Sequence, residues 1–365
     1  MSFSKTNDLM NGCTITRTNN SKVTKSSSSS SNDTDDIIIA ISTRDCRDVE
    51  RWKLMPSITM NEGEGEEDET NGSALRHSLI TLDLNKSRYL TKLHPSVCQL
   101  LNLQELVLTR CERLETLPTN IGNLKRLEVL DMMDCSQLKE LPDSIGNLQN
   151  LKRLSLGGHV GTGNKVLEYL PETLGQLSTL EYLILDKCKA LKCLPDTIGN
   201  LQQLKVLNMR ECKCVVELPE SMLNCRALVE LSLSKCVALK ELPTNLHQWS
   251  SLEDLILTKC KGITRLPDAI GNCKRLALLD LRACKNLTSI PSSVGSLAHL
   301  RLLDLSACKK LVELPSTLAN LPSLEWLDIS NCQSLQGIPD SFETIKTVMI
   351  GWEELDSNSK KSAAS

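Results

Sequence analysis

The chain has 365 residues, a formal net charge of −3 and a sequence pI near 6.0, and 2% of its residues are aromatic. This charge balance argues against nucleic acid or a membrane surface as the partner, because both favour strongly basic surfaces. No stretch approaches the roughly 20 apolar residues of a transmembrane helix or the apolar core of a secretion signal. We therefore expect a cytoplasmic protein.

Residues 1–72 differ in composition from the rest of the chain. They contain six consecutive serines, Ser26 to Ser31, and an acidic stretch from Asn61 to Thr70. Such a sequence buries too little apolar surface to offset chain entropy, so we predict a disordered segment. The apolar island from Ile37 to Ile41 has two interpretations. We expect a linker with an exposed apolar patch; the alternative is a short strand that docks on the next domain.

A 24-residue repeat dominates residues 73–355. Cysteine recurs at intervals of 24 residues, with one interval of 53, which is 24 plus 29. We therefore place His159 at the missing step, with a five-residue insertion after it. Ser87 marks one more repeat, which gives about eleven repeats and a C-terminal cap. The cysteines are Cys111, Cys135, Cys188, Cys212, Cys236, Cys260, Cys284, Cys308 and Cys332.

Each unit reads Leu-x-x-Leu-x-Leu-x-x-Cys-x-x-Leu-x-x-Leu-Pro-x-x-Ile-Gly-Asn-Leu-x-x, as in the unit that begins at Leu127. This is the leucine-rich-repeat pattern. The Leu-x-Leu alternation predicts a strand with one buried face. The Leu-Pro step predicts a tight turn or the first turn of a short helix. The units predict an α/β fold, a right-handed leucine-rich-repeat solenoid with a concave parallel β-sheet, followed by a polar tail at 356–365.

The repeated cysteine follows the strand, where buried backbone groups need hydrogen-bond partners. A thiol is small, tolerates burial and donates weakly, so we interpret these cysteines as structural. Disulfides or a metal ladder are the alternatives. Parallel Cβ vectors disfavour the first, and the ladder lacks the paired Cys-x₂₋₄-Cys spacing of zinc sites. Cys225, Cys273 and Trp249 replace a core leucine and are assigned to packing.

The stretch from Gly157 to Lys165 is the best candidate for a phosphate-binding loop. It lacks the Gly-Lys-Ser/Thr ending that such a loop needs, so its glycines more simply let an inserted loop turn. The five histidines lie in different repeats, and no spacing pairs one of them with a nucleophile. We predict no enzymatic activity, no cofactor, no bound metal and no small-molecule substrate.

The outward residues of the strands form the predicted binding surface, where Tyr182 and Trp326 are typical interface anchors. Asp280, Asp304 and Asp328 occupy one position in successive strands. Carboxylates about 5 Å apart raise one another's pKa, an effect that Arg282 is placed to offset. Either these carboxylates await a basic side chain of a partner, or Asp is simply common at this position. The predicted protein-binding residues are Tyr182, Ile184, Arg210, Ile256, Asp280, Arg282, Asp304, Trp326 and Asp328.

The phrase Leu-x-x-Leu-Pro-x-x-Ile-Gly-Asn-Leu at 138–148 and 191–201, with the strand-end cysteine, resembles the repeat regions of plant intracellular disease-resistance proteins. Its Leu-Pro-x-x-Ile part also looks like the Ras-pathway leucine-rich scaffold proteins. The resemblance covers about residues 79–350. The nucleotide-binding domain of resistance proteins has no counterpart in residues 1–72.

The resemblance implies recognition of another protein through the concave face, in defence-type signalling, and we expect a monomer. The alternatives are a Ras-pathway-like scaffold with two separable surfaces, or an adaptor subunit of a larger enzyme such as a ubiquitin ligase.

Overall fold

The computed structural model describes residues 7–9, 13–19, 37–43, 79–158, 163–337, 342, 347–350 and 353–354. Within these residues, one sheet takes its strands in chain order. They are β1 (Asn7–Leu9), β2 (Cys13–Asn19), β3 (Ile37–Thr43), β4 (Leu79–Asp83), β5 (Glu105–Val107), β6 (Val129–Asp131), β7 (Arg153–Ser155), β8 (Tyr182–Ile184), β9 (Val206–Asn208), β10 (Glu230–Ser232), β11 (Asp254–Ile256), β12 (Leu278–Asp280), β13 (Leu302–Asp304), β14 (Trp326–Asp328), β15 (Thr347–Ile350) and β16 (Glu353–Glu354).

The strands from β4 to β15 are parallel, and from β4 to β14 equivalent positions of neighbouring repeats lie directly opposite each other. Leu231 of β10, for example, faces Leu255 of β11. The predicted α/β leucine-rich-repeat solenoid with a parallel sheet is confirmed. Antiparallel pairs occur at the two ends, between β1 and β2, β2 and β3, and β15 and β16.

Strand β3 contains the apolar island, and it pairs in parallel with β4 through Ile39 and Leu79. Of the two interpretations of the island, the structure therefore has the docked strand rather than the linker. The serine run and the acidic stretch from Asn61 to Thr70 lie outside the described residues. The limits of the N-terminal segment and of the polar tail stay predictions.

Short 3₁₀ helices, most of which follow a Leu-Pro step, return the chain on the other side of each coil. They span Pro95–Gln99, Ile121–Asn123, Asp143–Asn147, Glu172–Gln176, Asp196–Asn200, Glu220–Asn224, Leu246–Gln248, Asp268–Asn272, Ser292–Ser296 and Ser316–Asn320. Pro142 is extended, with φ of −69°, and immediately precedes one of them, as the predicted short helix requires. Neighbouring helices pack so tightly that a Cβ on Gly199 would collide with the carbonyl oxygen of Ser221.

Inward leucines from successive strands form one continuous core. Leu231 and Leu233 are completely buried, as are their equivalents in neighbouring repeats. Trp249 is also fully buried, and its indole N–H donates to the carbonyl of Met222 at 3.1 Å. Cys225 and Cys273 occupy the same slot of their own repeats and donate to carbonyls at 3.3 and 3.4 Å. Their predicted packing role is confirmed.

A tight turn follows each strand, and the residue before the ladder cysteine has a positive φ. At Lys259 this angle is 61°, and at Ala283 it is 56°. Positive φ at the third residue is the mark of a type II turn, which usually has glycine or asparagine there. In this chain the position is held largely by lysine, arginine, glutamate and alanine. The amide of Lys259 donates to the carbonyl of Arg282 in the next repeat at 2.7 Å, which helps to hold the turn.

The repeated cysteines form a buried thiol ladder. The sulfur of Cys260 donates to the carbonyl of Leu233 in the preceding repeat at 3.0 Å, and that of Cys284 donates to Leu257 at 3.1 Å. Burial raises the pKa of Cys284 to about 12, so the thiol stays protonated and keeps its donor. The cysteines from Cys98 to Cys332 are free thiols. The ladder confirms the predicted structural role.

The insertion changes which residue occupies the ladder in one repeat. Asn164, not His159, lies 24 residues before Cys188 and is completely buried. Its amide donates to the carbonyls of Cys135 and Leu138 at 3.2 and 2.8 Å. Gly163, just before it, has the positive φ of 67° that marks this position. His159, which the 24-residue count from Cys135 reaches, lies outside the described residues.

Candidate protein-binding surface

The outward side chains of the strands form two parallel columns, which together we call the concave surface. The first column consists of the first residue of each three-residue strand, and the second column consists of the third residue. From β8 to β14, the first column is Tyr182, Val206, Glu230, Asp254, Leu278, Leu302 and Trp326, and the second is Ile184, Asn208, Ser232, Ile256, Asp280, Asp304 and Asp328.

The structure separates the predicted residues into two groups on this surface. Tyr182 and Ile184 lie on β8, and Arg210 follows β9. The other group runs across β11 to β14 and consists of Ile256, Asp280, Arg282, Asp304, Trp326 and Asp328. Six strand intervals separate the two aromatic residues, about 29 Å at the usual spacing. Tyr182 and Trp326 are 37% and 38% exposed, so both are available to a partner.

Each aspartate of the second column supports the turn that follows its own strand. Asp280 accepts the amide N–H of Arg282 at 2.9 Å, and Asp304 accepts that of Ser306 at 2.8 Å. Asp328 accepts the amide of Ser330 in the same way, also at 2.8 Å. Aspartate commonly stabilises turns through this bond to the amide two residues on. These carboxylates therefore have a local structural role whether or not a partner contacts them.

The predicted rise in pKa along the aspartate row is confirmed for Asp304. Burial is the largest cause, hydrogen bonds from Ser306 act against it, and the charges of Asp280 and Asp328 add to the rise. The compensation expected from Arg282 takes a different form. Its amide bonds Asp280, and no ion pair among the described residues joins its guanidinium to that carboxylate. For Asp304, the hydrogen bonds that act against the rise in pKa come from Ser306 and not from Arg282.

A second pair of carboxylates was missed by the sequence analysis. Glu230 and Asp254 lie directly opposite each other in the first column, and both are half-buried. Burial raises the pKa of both; the charge of Asp254 further raises that of Glu230, and Glu253 that of Asp254. Their neighbours in the column are Val206 and Leu278. Glu230 and Asp254 are 24 residues apart and occupy the same repeat position as Tyr182 and Trp326. Counting in steps of 24 from Tyr182 would therefore have identified them from the sequence.

Ion pairs join equivalent positions of neighbouring repeats around this surface. Lys205 and Glu181 approach to 2.7 Å, and Arg301 and Glu325 to 3.1 Å. Lys235 pairs with Glu211 at 2.7 Å, at the turns that follow β9 and β10. The Arg301–Glu325 pair is the most solvated of these, so it contributes roughly 0–1 kcal/mol to stability, whereas the Glu211 side chain is only 14% exposed. The ion pairs link one coil to the next and leave the carboxylates of the two columns for other contacts.

The loop considered for phosphate binding is only partly described, because residues 159–162 lie outside the described part of the chain. Gly157, Gly158 and Asn164 are buried, and the Asn164 amide is engaged within the ladder. The described residues contain no cluster of three or more His, Cys, Asp or Glu placed to hold a metal ion. None of the helices in the described ranges has the length and apolar character to cross a bilayer.

Comparisons with known proteins agree with this architecture. The Leucine Rich Repeat family model matches residues 323–345. A leucine-rich-repeat protein of Leptospira interrogans has 25% sequence identity and a TM-score of 0.52, over 85% of this chain and 88% of that one. The leucine-rich repeat domain of the type III effector XopL has 23% identity and a TM-score of 0.47, over 82% of this chain and 88% of that one. A search of curated proteins found no match. The chain is therefore a leucine-rich-repeat solenoid, a fold that generally mediates binding between proteins.

Proposed function

We propose that this chain is a recognition module that binds another protein through its concave surface, in intracellular defence-type signalling. The observation that carries the proposal is the opposed pair Glu230 and Asp254, whose pKa values are raised within a column of apolar and aromatic residues. Two half-buried carboxylates side by side are unfavourable in the free protein. A partner's lysine or arginine between them would relieve that cost.

The rest of the concave surface suits a protein rather than a small molecule. Tyr182 and Trp326 are exposed aromatic side chains about 29 Å apart, and the half-buried Ile184 lies on the same strand as Tyr182. Aromatic anchors with charged residues between them are typical of protein interfaces. A coil whose turns are held by internal hydrogen bonds loses little conformational entropy on binding.

We further propose that the module acts as a monomer, without cofactor, metal, nucleic acid or membrane, and that it has no catalytic activity. Leucine-rich-repeat proteins are typically interaction modules rather than enzymes, which supports this part of the proposal. A nucleotide-hydrolysis assay on the purified protein tests it. Turnover above the buffer blank would contradict it.

The main test compares a concave variant with a matched control in affinity capture from native cell extract. The concave variant is Glu230→Lys with Trp326→Ala, in which the introduced lysine would face Asp254 as the ion-paired lysines face their glutamates. The control is Glu217→Lys with Tyr169→Ala. It makes the same kinds of change at exposed positions in the part of the coil beyond the concave surface.

We expect one or more proteins to be captured by wild type and control but lost from the concave variant. Each such protein is then purified, and its Kd for the three chains is measured. The proposal requires a Kd at least tenfold higher for the concave variant and within threefold of wild type for the control. Equal capture by all three chains, or equal loss from both variants, would show that the partner does not depend on the concave surface.

A further inference from the structure

A second feature lies outside the concave surface, at the turn that follows each strand. The residue directly after the ladder position is lysine in six of seven successive repeats, and valine interrupts the series at Val237. We call this set the lysine column. Its side chains are exposed except at Lys189, which is half-buried. The members are Lys165, Lys189, Lys213, Lys261, Lys285 and Lys309.

Contacts between turns show that neighbouring members of the column lie close together. The side-chain amide of Asn286, next to Lys285, donates to the carbonyl of Lys261 at 2.7 Å. In the two repeats before the column, Ser136 and Glu112 hold the same position, and the serine hydroxyl donates to the glutamate carbonyl at 3.1 Å. The backbones at this position are therefore about one strand spacing apart, roughly 5 Å.

The column differs from the rows of lysines that form ion pairs between repeats. Lys139, Lys152 and Lys192 each face a glutamate at the same position of the preceding repeat, at 2.6–2.7 Å. In the lysine column, Lys189, Lys213, Lys285 and Lys309 each follow another lysine at the same position of the preceding repeat. None of its six members forms an ion pair within the described residues. Like charges at this spacing destabilise a fold, so the arrangement gives the free protein no stability.

We propose that the lysine column is a docking surface for an extended acidic segment of a partner protein. This goes beyond the concave-surface function, because the column lies at the turns and not on the outward strand positions. The column crosses six repeat intervals from Lys165 to Lys309, about 29 Å, and an extended chain rises about 3.3 Å per residue, so roughly nine residues span it. Carboxylates along such a segment neutralise the row without a change in the coil.

The composition of the column favours a carboxylate-rich peptide over a nucleic acid. The column contains no arginine, the residue whose planar fork suits bidentate phosphate recognition. It also contains no aromatic side chain on which a base would stack. Lysine ammonium groups act as mobile point charges, which suits a flexible acidic strand.

The first experiment measures binding of a fluorescein-labelled decaglutamate peptide to the full chain by fluorescence anisotropy at 50 and 300 mM salt. The column variant is Lys261→Gln, Lys285→Gln and Lys309→Gln. The matched control is Lys139→Gln, Lys152→Gln and Lys192→Gln, which removes the same charge from exposed lysines that already face glutamates. We expect the affinity to fall at least tenfold in the column variant and less than threefold in the control, and to weaken with salt.

Four outcomes would overturn the proposal. They are no binding by wild type, equal loss in both variants, tighter binding of single-stranded DNA of equal charge, and binding only after deletion of residues 61–70. The third would point to nucleic acid, and the fourth to the chain's own acidic stretch as the occupant.

A single variant gives an independent readout. Lys285→Glu places a carboxylate between Lys261 and Lys309, the alternation found in the ion-paired rows. We expect its Tm to rise by a few degrees or less while its affinity for decaglutamate falls at least threefold. A lysine that served only to stabilise the turn would lower the Tm when replaced, and that result would contradict the proposal.

Discussion

The thiol ladder and the concave surface are built by the same 24-residue unit. The ladder has nearly the same residue in each repeat, whereas the concave surface has different ones. Along the ladder, cysteine after cysteine donates to the carbonyl 27 residues earlier, as Cys236, Cys260 and Cys284 do. Along the first concave column, the residues run from tyrosine through carboxylates to tryptophan. A buried donor faces the same kind of acceptor in successive coils, so few residue types fit the ladder position. An outward side chain faces solvent, so packing does not restrict which residue type stands there.

Two tryptophans provide the strongest test of that difference. Trp249 is fully buried and donates to Met222, so Trp249→Ala should lower the free energy of unfolding by about 3–5 kcal/mol. Trp326 is 38% exposed, so Trp326→Ala should change it by about 0.5 kcal/mol or less. Urea unfolding of both variants measures the contrast. Similar losses would mean that Trp326 belongs to the core and is a poor candidate for partner contact.

The ladder itself should show a smaller effect. Cys260→Ala removes a buried sulfur and one of two hydrogen bonds to the Leu233 carbonyl, which also accepts the amide of Cys236. We expect a loss of about 1–2 kcal/mol in the free energy of unfolding. The exposed Cys193 provides the control, and Cys193→Ala should cost about 0.5 kcal/mol or less. If both substitutions cost the same, the ladder bond contributes nothing measurable to stability.

The opposed carboxylates of the concave surface should destabilise the free protein. Glu230→Gln with Asp254→Asn should raise the free energy of unfolding at pH 7 by about 0.2–1 kcal/mol, since it removes like charges at opposite positions. Both pKa values are raised by folding, so the stability linked to protonation is present below the ordinary values and is lost as pH rises through the folded values.

The double variant should therefore lose less stability than wild type as pH rises from 4 to 7. Thermal unfolding at pH 4, 5, 6 and 7 measures this. The exposed double variant Glu217→Gln with Glu241→Gln, which removes two surface carboxylates, is measured in parallel as the control. An unchanged slope in the Glu230 and Asp254 variant would show that folding does not raise the pKa values of the pair.

The smallest effect is expected at the turns that join the two regions. Ala307 has a φ of 57°, which costs an alanine more than a glycine. Ala307→Gly should raise the free energy of unfolding by about 0.5 kcal/mol, because relief of strain slightly exceeds the extra entropy of glycine in the unfolded chain. Ala277→Gly, at a position without positive φ, should lower it by about 0.5–1 kcal/mol. Differential scanning calorimetry separates the two signs.

The fold was predictable from the sequence because the regular spacing of the leucines shows which side chains are buried. The period assigned Leu231 to the core and Tyr182 to the outward face without any structure. It did not place the ladder residue in the repeat with the insertion. Counting forward from Cys135 gives His159 and counting back from Cys188 gives Asn164, and only the structure shows that the Asn164 side chain is buried and donates to the carbonyl of Cys135.

The candidate surface was predictable in outline but not in its energetics. A repeat position tells which way a side chain points, whereas pKa depends on how deeply the group is buried and on what it bonds. Asp304 and Glu230 both point outward, yet burial is the main cause of the raised pKa of each. The bond from the Arg282 amide to Asp280 likewise depends on turn geometry, which the spacing of leucines does not report.

The reach of the ladder bonds has a mechanical consequence. Each thiol holds only the coil immediately before its own, and the ion pairs 24 residues apart do the same. A disturbance introduced in one coil therefore weakens the two contacts beside it and fades beyond them. If the molecule were pulled by its two ends, it would unfold from a terminus one coil at a time. The interior coils would stay folded until the neighbouring coil had unfolded.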